Sequence, residues 1–218
     1  MLKIEHITAS YHKGNPILKD VSLEVGSGER VVILGRNGAG KTTFANSIFG
    51  LVPMLSGGIS YNGKDLSRLS ADRIKACGIA YFMQGAPVFQ QMTVRENLLF
   101  AAGNMKAREF NSRLEDLRKT LSLLKDPAID RTPAGSLSGG ERTQLAVGMA
   151  IINQPSLLIL DEPFAGLSPA NAKLVLQILE DYARKSTVSI IMIAQDRQLA
   201  TAFSASQFLI RDGKIIRE

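Results

Sequence analysis

Gly35-Arg36-Asn37-Gly38-Ala39-Gly40-Lys41-Thr42-Thr43 decides how the rest of the chain is read. It fits G-x-x-x-x-G-K-[ST], the pattern of a phosphate-binding P-loop. Val31-Val32-Ile33-Leu34 ahead of it is an apolar, β-branched run of the kind that forms a buried parallel strand. Behind it Phe44, Ala45, Ile48 and Phe49 recur at helical spacing. Strand, glycine-rich loop and helix, in that order, are the setting the motif needs. The glycines let the backbone wrap around phosphate oxygens with N–H groups pointing inward, and the positive end of the following helix adds to the attraction. In such a loop Lys41 reaches the β- and γ-phosphates and the Thr42 hydroxyl ligates Mg²⁺. The expectation is a nucleoside triphosphate cradled by residues 35–43.

Composition sets the bounds. With 218 residues, 45% hydrophobic and 21% charged, the chain suits one α/β domain with room for a subdomain. No apolar run approaches the roughly 18 residues of a membrane span. Met1-Leu2-Lys3-Ile4-Glu5 is charged and strand-like, unlike a secretory leader. A single cysteine, Cys77, excludes an internal disulfide, fits a reducing compartment and reads as a structural thiol. The net charge of +6 would suit nucleic acid or an anionic membrane face, but the basic residues are scattered as on a solvated surface. His6 and His12 have no partners at metal-ligand spacing, so no metal beyond nucleotide Mg²⁺ is expected.

Periodicity orders the elements. Lys3–Thr8 reads as an edge strand and Ile17–Val25 as its antiparallel neighbour, followed by Arg30–Leu34, the strand that feeds the P-loop. Pro53 and Ser56-Gly57-Gly58 read as a break, and Ile59-Ser60-Tyr61 with the Asn62-Gly63 turn as a hairpin. Ser70–Ala76 suggests a short helix and Ile79–Met83 a buried strand ending at Gln84. Thr93-Val94-Arg95-Glu96 is a capping box that opens a helical region. Within it, 104–124 reads as one helix with Phe110, Leu114, Leu117, Leu121 and Leu124 on one stripe. Residues 131–137 form a loop, and 140–153 another helix. Strand–helix alternation resumes with Leu157–Asp161, a helix over 172–184 entered through Ser168-Pro169, a strand over 187–194, a short helix over 197–204 and a closing hairpin across Asp212-Gly213. The whole is a single domain, 1–218: an α/β P-loop core with an N-terminal antiparallel β part and a helical subdomain of about 85–154.

Two further motifs carry chemistry. Leu157-Leu158-Ile159-Leu160 ends in Asp161-Glu162. At a strand end beside a P-loop, Asp161 can hold Mg²⁺ and Glu162 can polarise the attacking water. In isolation the same pair could merely end a strand at solvent. Leu137-Ser138-Gly139-Gly140-Glu141 opens a helix with exposed N–H groups, a hydroxyl and a helix dipole, which makes a second anion cradle. It could be an ordinary helix cap. As a phosphate site it cannot serve the same nucleotide within one domain, and must instead cap the γ-phosphate held by another molecule.

On these motifs, in this order and over essentially the whole length, the sequence resembles the ATP-binding-cassette (ABC) ATPases, whose signature is L-S-G-G-E. The resemblance implies ATP hydrolysis, with ATP and Mg²⁺ as cofactors. It places Tyr11 as the aromatic that stacks on adenine, and Gln84 as the glutamine that contacts Mg²⁺ and water and senses the transport domain. Thr42, Gln84 and Asp161 would serve the metal, with Glu162, Gln84 and Gln195 around the reacting phosphate. Ser138, Gly139 and Gly140 would complete a partner's site. The stretch Pro87–Leu98 resembles the groove for a coupling helix, where Phe89 and Met92 would be exposed contacts or subdomain core. Two positions depart from the family pattern. Ser168 stands where an Asp is common, and Gln195 stands where a switch His is common. A Gln can donate a hydrogen bond to the γ-phosphate but cannot titrate near neutral pH. These departures, with Met92-Thr93-Val94-Arg95-Glu96-Asn97-Leu98, resemble ATPases of importers of branched-chain amino acids, urea and amides. Asp161-Glu162-Pro163-Phe164-Ala165-Gly166 also resembles the ATPase of lipopolysaccharide export, and a soluble ABC ATPase acting on nucleic acid or ribosome is a further alternative. The implied partners are a second ABC ATPase subunit, identical or paralogous, and membrane permease subunits that hold the chain on the cytoplasmic face; no nucleic acid is expected.

Overall fold

In the computed structural model, which describes residues 1–12, 14–204 and 206–217, two sheets divide the strands. Sequence alternation decides which side chain faces where. The antiparallel sheet has the order β2-β1-β4-β5, built from β1 (Leu2–Ala9), β2 (Leu18–Val25), β4 (Met54–Tyr61) and β5 (Lys64–Asp65). β1 pairs on both sides, with β2 and with β4, so it is an interior strand and not the edge strand its weak alternation suggests. Its partner β4 starts at Met54 and runs straight through Ser56-Gly57-Gly58, which reads locally as a break. There the Gly57 Cα lies so close to the backbone of Glu5 and His6 that a Cβ would meet it at about 2.5 Å.

The second sheet has the order β10-β9-β3-β8-β7-β6. β3 (Arg30–Leu34), β8 (Ser189–Ala194), β7 (Leu157–Asp161), β6 (Ile79–Phe82) and β9 (Ser206–Arg211) run parallel, and β10 (Lys214–Arg217) closes the edge as an antiparallel hairpin strand. Val31, Ile33, Leu157, Ile159, Ile191 and Ile193 face a core shared with α1 (Lys41–Ile48) and the antiparallel sheet. Val32, Leu34, Leu158, Leu160, Ile190 and Met192 face the opposite core. That core is filled by α6 (Pro169–Lys185), α7 (Arg197–Phe203) and the helices between β6 and β7: α3 (Val94–Ala102), α4 (Ala107–Thr120) and α5 (Gly139–Ile151). Both faces of the central strands are thus buried, which is why their sequences are continuous apolar runs.

The helical stretch differs in detail from the single helix expected over 104–124. It breaks at Gly103 (φ 65°), α4 begins at Ala107, and a short 3-10 turn, Ser122–Leu124, follows it. The apolar stripe survives because Phe110, Leu114, Leu117, Leu121 and Leu124 are all buried. The capping box at Thr93 forms as read: Thr93 Oγ1 accepts from the Glu96 N–H, and the Glu96 carboxylate accepts from the Thr93 N–H. α2 (Ala71–Ala76) and α6 follow Ser70 and Ser168 at their N-caps.

Register sets the site. Leu34 is level with Ala194, Asp161 with Ile193, and Phe82 with Leu160. The C-terminal ends of four adjacent parallel strands therefore finish together, and open parallel sheets hold their ligands beyond that end.

Candidate functional site

The loop after β3 turns into α1 through two glycines in the left-handed region, Gly38 (φ 79°) and Gly40 (φ 104°). A side chain at either would be strained. The first α1 hydrogen bond runs from the Phe44 N–H to the Gly40 carbonyl at 2.9 Å, so the N–H groups of Lys41, Thr42 and Thr43 project from the open helix end. Lys41 Nζ folds back over this loop, donating to the carbonyls of Gly35 (3.0 Å) and Arg36 (3.2 Å), and pairs with Glu162 Oε1 at 3.2 Å. The two side chains of that ion pair are only 5% and 9% exposed.

Glu162 is the hub of the other strand ends. Its Oε1 also accepts from Gln195 Nε2 (2.8 Å), which follows β8, and its Oε2 accepts from Gln84 Nε2 (3.2 Å), beyond β6. Gln195 Nε2 reaches Asn37 Oδ1 in the P-loop as well (2.6 Å). The Glu162 backbone is left-handed (φ 50°), a conformation that costs a non-glycine residue about 1–3 kcal/mol. Its N–H bond to the Ile193 carbonyl at 2.9 Å ties the strained residue to β8. The residue whose carboxylate faces the P-loop is thus one of the strained positions of the backbone.

Asp161, one residue earlier, is fully buried. Burial pushes its carboxyl above the usual range; the Thr42 hydroxyl against it pulls the other way, while the Glu162 charge adds to the rise. Its Oδ2 lies 3.3 Å from the Tyr81 hydroxyl, and its Oδ1 has no hydrogen-bond partner among the described residues. An orphaned carboxylate oxygen is costly to bury, and a divalent cation would satisfy it. With the Thr42 hydroxyl beside it, the oxygen donor set suits Mg²⁺, which takes one or two protein oxygens and completes its shell with water and phosphate.

Two site residues were not singled out by sequence. Tyr81 in β6 donates toward Asn46 Oδ1 at 3.0 Å, and Asn46 Nδ2 donates to the Tyr11 hydroxyl at 2.8 Å. Asn46 lies four residues after Thr42, so both sit on one face of α1; that spacing was the available signal. Tyr11 is 45% exposed, with its ring open to solvent beside the P-loop helix.

Ser138, Gly139 and Gly140 stand apart from this cluster. Ser138 caps α5 with a capping box: its hydroxyl accepts from the Glu141 N–H (3.3 Å), and Glu141 Oε2 accepts from the Ser138 N–H (2.8 Å). Gly140 packs against the Asn171 side chain at the start of α6, so closely that a Cβ would meet it at 2.4 Å. Ser138 and Gly139 are exposed. The buried Asn97 of α3 bonds both backbone groups of Phe89 in the preceding loop, at 2.7 and 3.0 Å, and so displays the Phe89 ring at the surface. The ring lies edge-on to Phe100, with 4.5 Å between centroids, while Met92 is half-buried.

A P-loop lysine facing strand-end carboxylates across a parallel sheet defines a P-loop nucleoside triphosphatase fold. Residues 18–165 match the ABC transporter family, and the chain belongs to that family as an ATP-binding, ATP-hydrolysing subunit. It is 32% identical over 216 residues to the high-affinity branched-chain amino acid transport ATP-binding protein BraG of Pseudomonas aeruginosa, covering 99% of this chain and 91% of BraG. It is 33% identical over 215 residues to a probable branched-chain amino acid transport ATP-binding protein, LivF, of Archaeoglobus fulgidus, covering 99% and 90%. The fold matches the dimeric ATP-binding cassette MJ0796 bound to ADP and Pi with a TM-score of 0.86 at 23% identity, over 100% of this chain and 98% of that one.

Proposed function

We propose that the chain is the motor subunit of a membrane importer of branched-chain amino acids or similarly small solutes. The carrying observation is the nearly end-to-end correspondence with BraG and LivF, about nine-tenths of each relative and 99% of this chain. Gln195, in place of a titratable switch residue, supports the same reading.

The residues would divide the work as follows. The amides of residues 35–43 and Lys41 bind the triphosphate, and Tyr11 offers its ring to adenine. Thr42, Asp161 and Gln84 hold Mg²⁺, which when bound neutralises phosphate charge. Glu162 polarises the water that attacks the γ-phosphate, yielding ADP and phosphate. Before nucleotide enters, the Glu162 carboxylate is the anion that Lys41 and Gln195 hold; ATP replaces it with phosphate oxygens and frees Glu162 for water. Gln195 then donates to the γ-phosphate, and Asn37 fixes its orientation. Ser138, Gly139 and Gly140 cap the nucleotide of a second cassette, so ATP closes the pair and hydrolysis reopens it. The Phe89–Phe100 surface faces a permease, which holds the chain at the cytoplasmic side of a membrane. Among the described residues no helix is long and apolar enough to cross one.

The test is uptake of radiolabelled leucine, isoleucine and valine by cells lacking this chain, with purification of the tagged chain from native membranes in mild detergent. Uptake should fall, and a permease with a second cassette should co-purify. Unchanged uptake would remove the solute assignment, and recovery without any membrane protein would remove the transporter.

A further inference from the structure

Four side chains form a continuous hydrogen-bonded row from the solvent-open ring of Tyr11 to the buried carboxylate of Asp161. Asn46 Nδ2 donates to the Tyr11 hydroxyl (2.8 Å), and Asn46 Oδ1 lies 3.0 Å from the Tyr81 hydroxyl, which is also 3.3 Å from Asp161 Oδ2. A hydroxyl carries one proton and can give it fully to one acceptor at a time. Tyr81 therefore has two settings, bonded to Asn46 or bonded to Asp161. A tyrosine phenol, with an ordinary pKa of about 10, keeps that proton throughout the physiological range. The Phe49 ring, tilted against Tyr81 with 5.4 Å between centroids, limits the ring itself to one place.

We propose that Tyr81 is a positioning residue that couples the base platform at Tyr11 to the metal carboxylate at Asp161, through Asn46. The inference rests on the reading that Tyr11 stacks on the base and that Asp161 and Thr42 hold the metal. When Tyr81 donates to Asp161 Oδ2 it draws negative charge from the shared carboxylate and weakens it as a ligand at the unpartnered Oδ1. When Tyr81 donates to Asn46 Oδ1 instead, the full charge of the Asp161 carboxylate is left for the metal. A base stacked on Tyr11 fixes that side chain, and with it the Asn46 amide that draws the Tyr81 proton away. Base and metal thus favour the same setting, and by reciprocity each strengthens the binding of the other. A triphosphate without a base gains nothing from the row.

The experiment is calorimetric titration of the full chain with ATP and with inorganic tripolyphosphate, each in excess Mg²⁺ and in EDTA. The quantity read is the Mg²⁺-dependent gain in affinity for ATP divided by the same gain for tripolyphosphate. Complexation of the free ligands by Mg²⁺ is common to every variant, and a uniform loss of affinity cancels. Tyr81→Phe and Asn46→Leu should each lower this ratio about fivefold from the wild-type value, the low end of ordinary coupling between sites. Should one variant fail to give a cooperative melt, the other carries the test. A ratio equal to wild type in the folded variants overturns the coupling. Asp161→Asn separates the two levels: it should abolish the Mg²⁺ gain for both ligands. If that gain persists, the metal assignment itself has failed, and the coupling with it.

Discussion

The proposed function gives this molecule two ends that hold phosphate, and they differ in how far their groups are already satisfied. At the P-loop, Lys41, Gln195 and Gln84 converge on the carboxylate of Glu162, and Asn37 closes the ring. At the start of α5, Ser138 and Glu141 cap each other, while Gly139 lies at the surface with nothing within 4 Å of where a Cβ would stand. The first end holds its own anion and must exchange it. The second is a finished helix cap with an open approach. In the proposed function a ligand alone engages the first, whereas the second needs a nucleotide presented by another chain. The difference fits the proposal that the subunit binds ATP singly and hydrolyses it in a pair.

The sharpest way to break this contrast is at Glu162. Glu162→Gln keeps an acceptor for Gln195 but removes the base and the charge, so steady-state hydrolysis should fall about 10²–10⁴-fold while ATP binding persists. Normal turnover, measured as phosphate release, would remove Glu162 from its role. Lys41→Ala should weaken ATP binding by about 10–100-fold, since it deletes charge-assisted bonds to phosphate. Equilibrium titration with ATP reads this directly; an affinity within twofold of wild type would mean the P-loop lysine is not engaged. Gln195→His should give hydrolysis a new pH-dependent limb, severalfold in amplitude, near the ordinary imidazole value of about 6.5. A pH–rate profile identical to wild type would show that this side chain does not meet the reacting phosphate.

The smallest effect belongs to the other end. Ser138→Ala should cost roughly 0.5–2 kcal/mol in urea unfolding, as loss of an N-cap does. Hydrogen bonds from the Ser138 hydroxyl and backbone hold Glu141 below its usual carboxylate range. A depressed folded-state pKa stabilises above the unfolded value of about 4.3 and loses that contribution as pH falls through the folded value. Glu141→Gln should therefore flatten part of the stability loss below about pH 4.5, and an unchanged acid limb would mean the box does not contribute.

Local pattern made the central sheet legible because its central strands are buried on both faces and read as apolar runs. It failed where long-range pairing decides. β1 alternates weakly yet lies between two strands, and β4 is carried through Gly57-Gly58 only because β1 backs it. In the site, Lys41, Asp161, Glu162, Gln84 and Gln195 were readable because each sits at or just beyond a strand end in a recognisable motif. Asn46 and Tyr81 were not, because their meaning comes from α1 meeting β6 across 35 residues of chain, with side chains ordinary for a helix and a strand.

The most direct measurement concerns the open end. Gly139→Cys in a Cys77→Ser background, labelled with a short thiol-reactive photo-crosslinker, is irradiated in native membranes with and without ATP, and adducts are identified by mass spectrometry. Position 139 admits a side chain without a clash. The expected result is an ATP-dependent adduct with the P-loop peptide of a second cassette, from another copy or a paralogue. Adducts that ignore ATP, or that join position 139 only to its own chain, would contradict the division into a site that exchanges its anion and a cap that waits for a partner's nucleotide.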